Sequence, residues 1–147
     1  MELRDLYQEV ILDHNRRPHN NHEMDEPSLS AEGYNPLCGD KLNLFLAIHE
    51  DKITDASFTG CGCAISTASA SLMTDFLKGK TLDEVRHLFE DFHDMVTQDG
   101  VIPKKTLEKL VVLEGVKAFP ARVKCATLAW HTLMAAINNQ SEVATTE

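Results

Sequence analysis

The cysteines constrain this chain more than any other feature. They fall in three short segments: Cys38, two residues before Asp40, in NPLCGD; Cys61 and Cys63 in GCGC; and Cys125 in FPARVKCATL. We read Cys38, Asp40, Cys63 and Cys125 as converging on one thiolate-rich metal or sulfur-handling site. The fold must then bring three distant stretches to one point. A chain of 147 residues is long enough to bury one core but too short for two ordinary domains. Residues 1–140 are expected to form a single domain, with 141–147 as a polar tail.

The compartment decides whether four cysteines mean disulfides or ligands. MELRDLYQEV mixes charges with apolar residues and lacks the apolar run of a secretory signal, and no stretch is long enough to cross a bilayer. The expected location is therefore the cytoplasm, without membrane contact. Thiols stay reduced there, which favours metal ligation or thiolate chemistry over two disulfides. A net charge of -9 with no Lys/Arg cluster excludes the electrostatic footprint of a phosphate-backbone binder, so no nucleic-acid partner is expected.

Periodicity supplies the elements. Leu3, Leu6, Tyr7, Val10, Ile11 and His14 line one face of a helix that should stop before Pro18. From there to about Pro36 the chain reads as loop with at most a short strand. Leu42, Leu44, Leu46 and Ile48 alternate with their neighbours as a strand does, and Ile53–Thr59, after a turn at EDK, completes an antiparallel hairpin. A helix follows Cys63 and carries Ile65, Ala68, Leu72, Phe76 and Leu77, with Gly79 as its stop. Thr81 and Glu84 form a capping box for a helix striped with Leu82, Val85, Leu88, Phe89, Phe92, Met95 and Val96. Pro103 suits the first position of a short helix bearing Leu107, Leu110 and Val111 and ending before Gly115. A last helix surrounds Cys125, with Leu128, Leu133, Met134 and Ile137 on its stripe.

The cysteine segments carry the chemistry. Gly39 lets the backbone turn sharply between a thiolate and a carboxylate, so both can face one point. Two further thiolates would complete a four-coordinate shell suited to zinc, and sulfur-rich ligation also suits iron-sulfur chemistry. A carboxylate holds a soft metal less firmly than a fourth thiolate, which makes such a site easier to open. The plain alternative is that Asp40 only bonds the turn and each cysteine is a small buried hydrophobe. Neither pair, Cys38/Asp40 or Cys61/Cys63, has the CxxC spacing of zinc fingers or thioredoxin-like sites. A helix N-terminus at Cys63, and Arg122 and Lys124 beside Cys125, would favour thiolates at both positions. His49, His87 and His93 read as ordinary surface histidines, and His14 and His19, around Arg16, Arg17 and Pro18, as the end of a helix.

Taken together, ILDHNRRPHN, NPLCGD, GCGCAISTASASLMTDFLKGK and FPARVKCATLAWHTL resemble the U-type (IscU/NifU N-terminal-like) scaffold family of iron-sulfur cluster assembly, and within it the SufU branch. The likeness runs from the first helix to the last. It implies an α+β fold, a small antiparallel β-sheet packed against several helices, with the three segments meeting at one exposed end. It implies a Cys38, Asp40, Cys63, Cys125 site for zinc, or for iron or an iron-sulfur cluster assembled transiently on the same ligands. It also implies a PLP-dependent, SufS-like cysteine desulfurase as sulfur donor, and downstream iron-sulfur assembly or acceptor proteins. In IscU proteins the middle cysteine stands at the place of Cys61, in SufU proteins at that of Cys63, and this chain has both; Cys63 is the favoured ligand and Cys61 the alternative. Lys124 stands where IscU proteins have histidine, DGVIPKKTLEKLVVLEG resembles the SufU insertion, and FPARVKC replaces the LPPVK-type chaperone motif.

The function implied is receipt of persulfide sulfur, either as cluster scaffold or as zinc-dependent sulfur acceptor, a sulfurtransferase-like role rather than that of a stand-alone enzyme. Cys38, in its turn, is the favoured acceptor and Cys125, on a helix, the alternative. A non-catalytic structural zinc module is the main rival, and a thiol redox protein with a Cys61–Cys63 disulfide a third reading.

Overall fold

The computed structural model describes residues 3–60, 62–98, 105–138 and 144–145. In chain order the elements are α1 (Leu3–Arg16), β1 (Leu29–Asn35), β2 (Asp40–His49), β3 (Lys52–Gly60), α2 (Ala64–Leu77), α3 (Leu82–Thr97), a 3-10 segment (Lys105–Ala118), α4 (Pro120–Ile137) and β4 (Ala144–Thr145). The fold is α+β, as expected.

The hairpin anchors the sheet. Leu42, Leu44 and Leu46 point inward from β2 and are buried, because the pleat sends alternate residues to one face. Leu44 lies opposite Phe58 of β3 on one side and Ala31 of β1 on the other, and both pairings are antiparallel. Glu50 and Asp51, both at positive φ, make the tight connection from β2 to β3, the backbone twist that two-residue hairpin turns favour. The strand order is β3-β2-β1-β4.

Helices cover the inner face. α4 packs across β1 and β2 and against α2, and α1 also packs against α2. Trp130 of α4 is fully buried and stacks on Phe92 of α3, ring centroids 4.3 Å apart, a pairing worth about 0.5–1.5 kcal/mol beyond its buried area. Its indole N–H donates to Ser69 Oγ at 3.2 Å, and that hydroxyl donates to the Ala126 carbonyl at 2.6 Å. Small residues along α2, among them Ser66, Ala68, Ser69, Ala70 and Ser71, are all buried, which allows this helix close neighbours on several sides. The predicted capping box at Thr81 and Glu84 is formed. The chain leaves α2 after Leu77 through Gly79 at positive φ, as its sequence position suggested.

Three expectations are corrected. The stretch before Pro36, expected as loop with at most a short strand, contains the seven-residue β1, whose inward positions include Gly33 and Asn35; residues so small or polar leave little apolar alternation to read. Residues 144–145, within the stretch expected only as a polar tail, pair parallel to Gly33 and Tyr34 of β1. The short helix expected to stop before Gly115 is a 3-10 segment that runs on to Ala118, broken at Glu108 by a positive φ. Leu107, Leu110, Val112, Leu113 and Val116 hold it down by burial, so packing rather than helical propensity sets its course. Pro103 and Cys61 lie outside the described residues. Among the described residues no helix is long and apolar enough to cross a membrane.

Candidate metal centre

The site is built where β1, β2, α2 and α4 approach each other. Residues 36–39 form a turn between β1 and β2, closed by the Gly39 N–H donating to the Asn35 carbonyl at 2.8 Å. Gly39 takes φ of 74°, a region that side chains with a Cβ rarely adopt. The turn leaves Cys38 exposed and puts Asp40 at the start of β2 with no accessible surface.

A carboxylate so buried requires partners, and the neighbouring elements supply them. Asp40 Oδ1 accepts the Cys63 backbone N–H at 2.8 Å, and Oδ2 accepts from Asn35 Nδ2 at 3.2 Å. Cys63 caps α2: its Sγ accepts the Ser66 N–H at 3.3 Å and lies 3.8 Å from Asp40 Oδ2. A Cβ on Gly62 would stand 2.4 Å from Asp40 Oδ1. Only glycine lets the segment before α2 pass this close to the carboxylate.

Cys125 comes from the second turn of α4. Its Sγ is 3.3 Å from Cys38 Sγ and 3.5 Å from Asn35 Nδ2, and the residue is only 3% exposed. One donor atom each from Cys38, Asp40 and Cys125 lie within 4.8 Å of one another, and Cys63 flanks this group through its contact with Asp40. All four predicted residues are thus brought together. Three sulfurs and one carboxylate oxygen are a donor set that fits zinc, and sulfur-rich ligation fits iron as well.

The electrostatics correct one expectation. Arg122 and Lys124 were expected to favour the Cys125 thiolate. Instead burial, followed by Cys38, Cys63 and Asp40, pushes the Cys125 thiol far above the ordinary thiol range. Arg122 is exposed and lies over the Phe119 ring, 5.0 Å from guanidinium carbon to centroid. Burial thus favours the thiol form of Cys125, and a metal held there would have to displace that proton.

Asn35, the first residue of NPLCGD, also belongs to this site. It is fully buried, pairs with Asp40 in the strand register, and aims one amide at both Asp40 and Cys125. Its signal was present: a polar side chain directly before a Pro-containing turn that ends in a ligand pair. His49 and His87 are exposed, and His93 packs by Phe89 and His131; none of the three has a place among the cysteines.

Residues 6–145 match the family described as NifU-like N terminal domain. The chain is 41% identical over 140 residues to the iron-sulfur cluster assembly scaffold protein IscU of Streptococcus pyogenes serotype M1, covering 95% of this chain and 87% of that one. It is 40% identical over 128 residues to the zinc-dependent sulfurtransferase SufU of Bacillus subtilis, covering 87% and 86%. Among solved structures, an iron-sulfur cluster assembly scaffold protein for the SUF system from Fervidobacterium islandicum AW-1 superposes with a TM-score of 0.84 at 32% identity, covering 92% of this chain and 99% of that one. The chain belongs to the NifU-like N-terminal domain family and shares the fold of the SUF-system scaffold protein it is similar to.

Proposed function

We propose that this protein works in iron-sulfur cluster assembly by accepting persulfide sulfur from a cysteine desulfurase at a site made of Cys38, Asp40, Cys63 and Cys125. The observation that carries the reading is the contrast within one turn: Cys38 is exposed, whereas Asp40, two residues on, is fully buried and bonded into the fold. A site meant only to brace loops has no need to leave one of its thiols facing solvent. The likeness to proteins named as a zinc-dependent sulfurtransferase and as cluster scaffolds supports the same reading.

Zinc held by these four residues would keep their thiols deprotonated and the segments together. The protein's own residues do the rest. Cys63, capping α2, and Cys125, on α4, are fixed by their helices, and Asn35 holds Asp40 in place. Cys38, on its turn, reaches the donor. Its thiolate attacks the outer sulfur of the desulfurase persulfide, a new sulfur–sulfur bond forms on Cys38, and the donor's own bond breaks with the electron pair leaving on the desulfurase cysteine. No external oxidant or reductant is needed. The chemistry requires reduced thiols, which the cytoplasm maintains. The sulfur then passes to downstream iron-sulfur assembly or acceptor proteins.

A second reading, a scaffold that holds the growing cluster as cargo on the same ligands, is favoured by the sulfur-rich donor set. One experiment separates the readings. Zinc-loaded protein is incubated with a SufS-like desulfurase and sulfur-labelled cysteine, and cluster absorption is followed separately with ferrous iron. Stable label without a cluster spectrum identifies a relay, and label with one identifies a scaffold. If the protein takes up no label and unfolds on chelation, the metal is structural and the proposal fails.

A further inference from the structure

The far end of α2 holds a second group of metal-type donors. His14 lies in the last turn of α1, His19 in the following loop, and Asp75 near the end of α2, and one donor atom from each lies within 4.8 Å of the others. Asp75 is twelve residues along α2 from Cys63, so the two groups stand about 18 Å apart at 1.5 Å per residue. We propose that His14, His19 and Asp75 form a distinct site for a divalent first-row ion of zinc or ferrous type, independent of the cysteine site and its proposed role.

The donors are held from behind. His14 is 7% exposed, and its Nδ1 lies 2.7 Å from Ser71 Oγ. The same hydroxyl accepts the His19 backbone N–H at 2.8 Å, so one serine fixes both the first ring and the backbone of the second. The two rings stand 4.4 Å apart, centroid to centroid. Asp75 divides its carboxylate: Oδ2 meets His19 Nδ1 at 2.5 Å, and Oδ1 accepts from Asn20 Nδ2 at 2.9 Å. Asn20 also donates to Thr74 Oγ1 and accepts from Lys78, which is further tied to Asp55 rather than to Asp75. Metal-binding histidines and carboxylates are commonly oriented by an outer layer of this sort.

The donor types name the ligand class. Two imidazole nitrogens and one carboxylate oxygen, with no sulfur, suit zinc with an open position or ferrous iron, and they do not select for soft cations. The side chains of His19 and Asp75 are 55% and 37% exposed, which gives an ion a way in and leaves room for water in the remaining positions. Binding would break the contact between His19 Nδ1 and Asp75 Oδ2, with the single N–H of the neutral imidazole carried on Nε2 and turned to solvent. A hydrogen-bonded staple joining the loop to α2 would use the same contacts but bind no ion.

The test uses the full chain with its cysteine site filled by one zinc ion. The protein is dialysed to equilibrium against free Zn2+, its metal content is measured, and the histidine side-chain nitrogens are followed by NMR. The wild type is expected to hold two ions per chain, with the His14 and His19 signals displaced as the second binds. His19→Ala and Asp75→Asn are expected to hold one, and the asparagine retains hydrogen bonds to His19 and Asn20, so the fold is spared. Ser71→Ala should weaken the second ion about tenfold through the loss of its outer partner. A wild type that holds a single ion with unmoved histidine signals, or a second ion that persists in either His19→Ala or Asp75→Asn, overturns the proposal.

Discussion

The two ends of α2 make opposite use of the same helix. At its N-terminus Cys63 caps the first turn and meets a carboxylate with no accessible surface, so sulfur donors gather around a buried anion. Near its C-terminus Ser71, Thr74 and Asp75 gather nitrogen and oxygen donors around a half-exposed carboxylate. The difference teaches how burial sets the consequence of losing a partner. A buried carboxylate that loses its donors keeps its full desolvation penalty, whereas an exposed one turns to water. The cysteine end should therefore respond steeply to substitution and the histidine end mildly.

The largest effect is expected from Asp40→Ala or Cys125→Ser. Structural zinc contributes on the order of 10–16 kcal/mol over four ligands, so each carries about 3 kcal/mol, or roughly a hundredfold in affinity. Competition with a calibrated zinc chelator measures it, and an unchanged affinity would remove that residue from the site. Next is Gly62→Ala. Its Cβ would press on Asp40 Oδ1, and overpacking of this kind costs about 1–3 kcal/mol; denaturant melts of the metal-free protein should show the loss, and zinc titration should show a weaker site.

Asn35→Ala should follow, with zinc affinity lowered about tenfold, as when an outer-layer partner is removed. The absorption of the cobalt-substituted protein should also shift, because the amide donates towards Cys125; a spectrum identical to wild type would mean that Asn35 serves the fold alone. The smallest effect belongs to the histidine end. Breaking the half-exposed His19–Asp75 pair by His19→Ala should cost less than about 1 kcal/mol and leave zinc at the cysteines unchanged, since sites this far apart behave additively. Coupling between the two ends, measured by combining His19→Ala with Asn35→Ala, would break the comparison.

Legibility in the sequence followed the same physical lines. The hairpin, α2, α3 and α4 were readable because their apolar residues repeat at strand or helix spacing; Gly79 also marks the end of α2, a capping box the start of α3, and Pro120 the start of α4. β1 was not, since its buried positions include Gly33 and Asn35, which register as loop residues. The 3-10 segment was misjudged because its backbone path is set by tertiary burial and by the break at Glu108. At the site, the approach of Cys38, Asp40, Cys63 and Cys125 to one another was legible from residue type and family resemblance together. Cys125 was given the wrong protonation preference because Arg122 and Lys124 are near it in sequence, whereas burial and neighbouring sulfurs dominate in space. The histidine cluster escaped because Asp75 lies 56 residues from His19, and no local spacing links them.

The central claim is that the exposed Cys38, rather than the buried Cys125, accepts sulfur. The most direct measurement is mass spectrometric mapping of the zinc-loaded protein after a brief reaction with the desulfurase and cysteine, with Cys38→Ala and Cys61→Ala treated alongside. The account predicts one added sulfur on the peptide carrying Cys38, its absence in Cys38→Ala, and its persistence in Cys61→Ala. Sulfur found on Cys125, or transfer at the normal rate in Cys38→Ala, would contradict it.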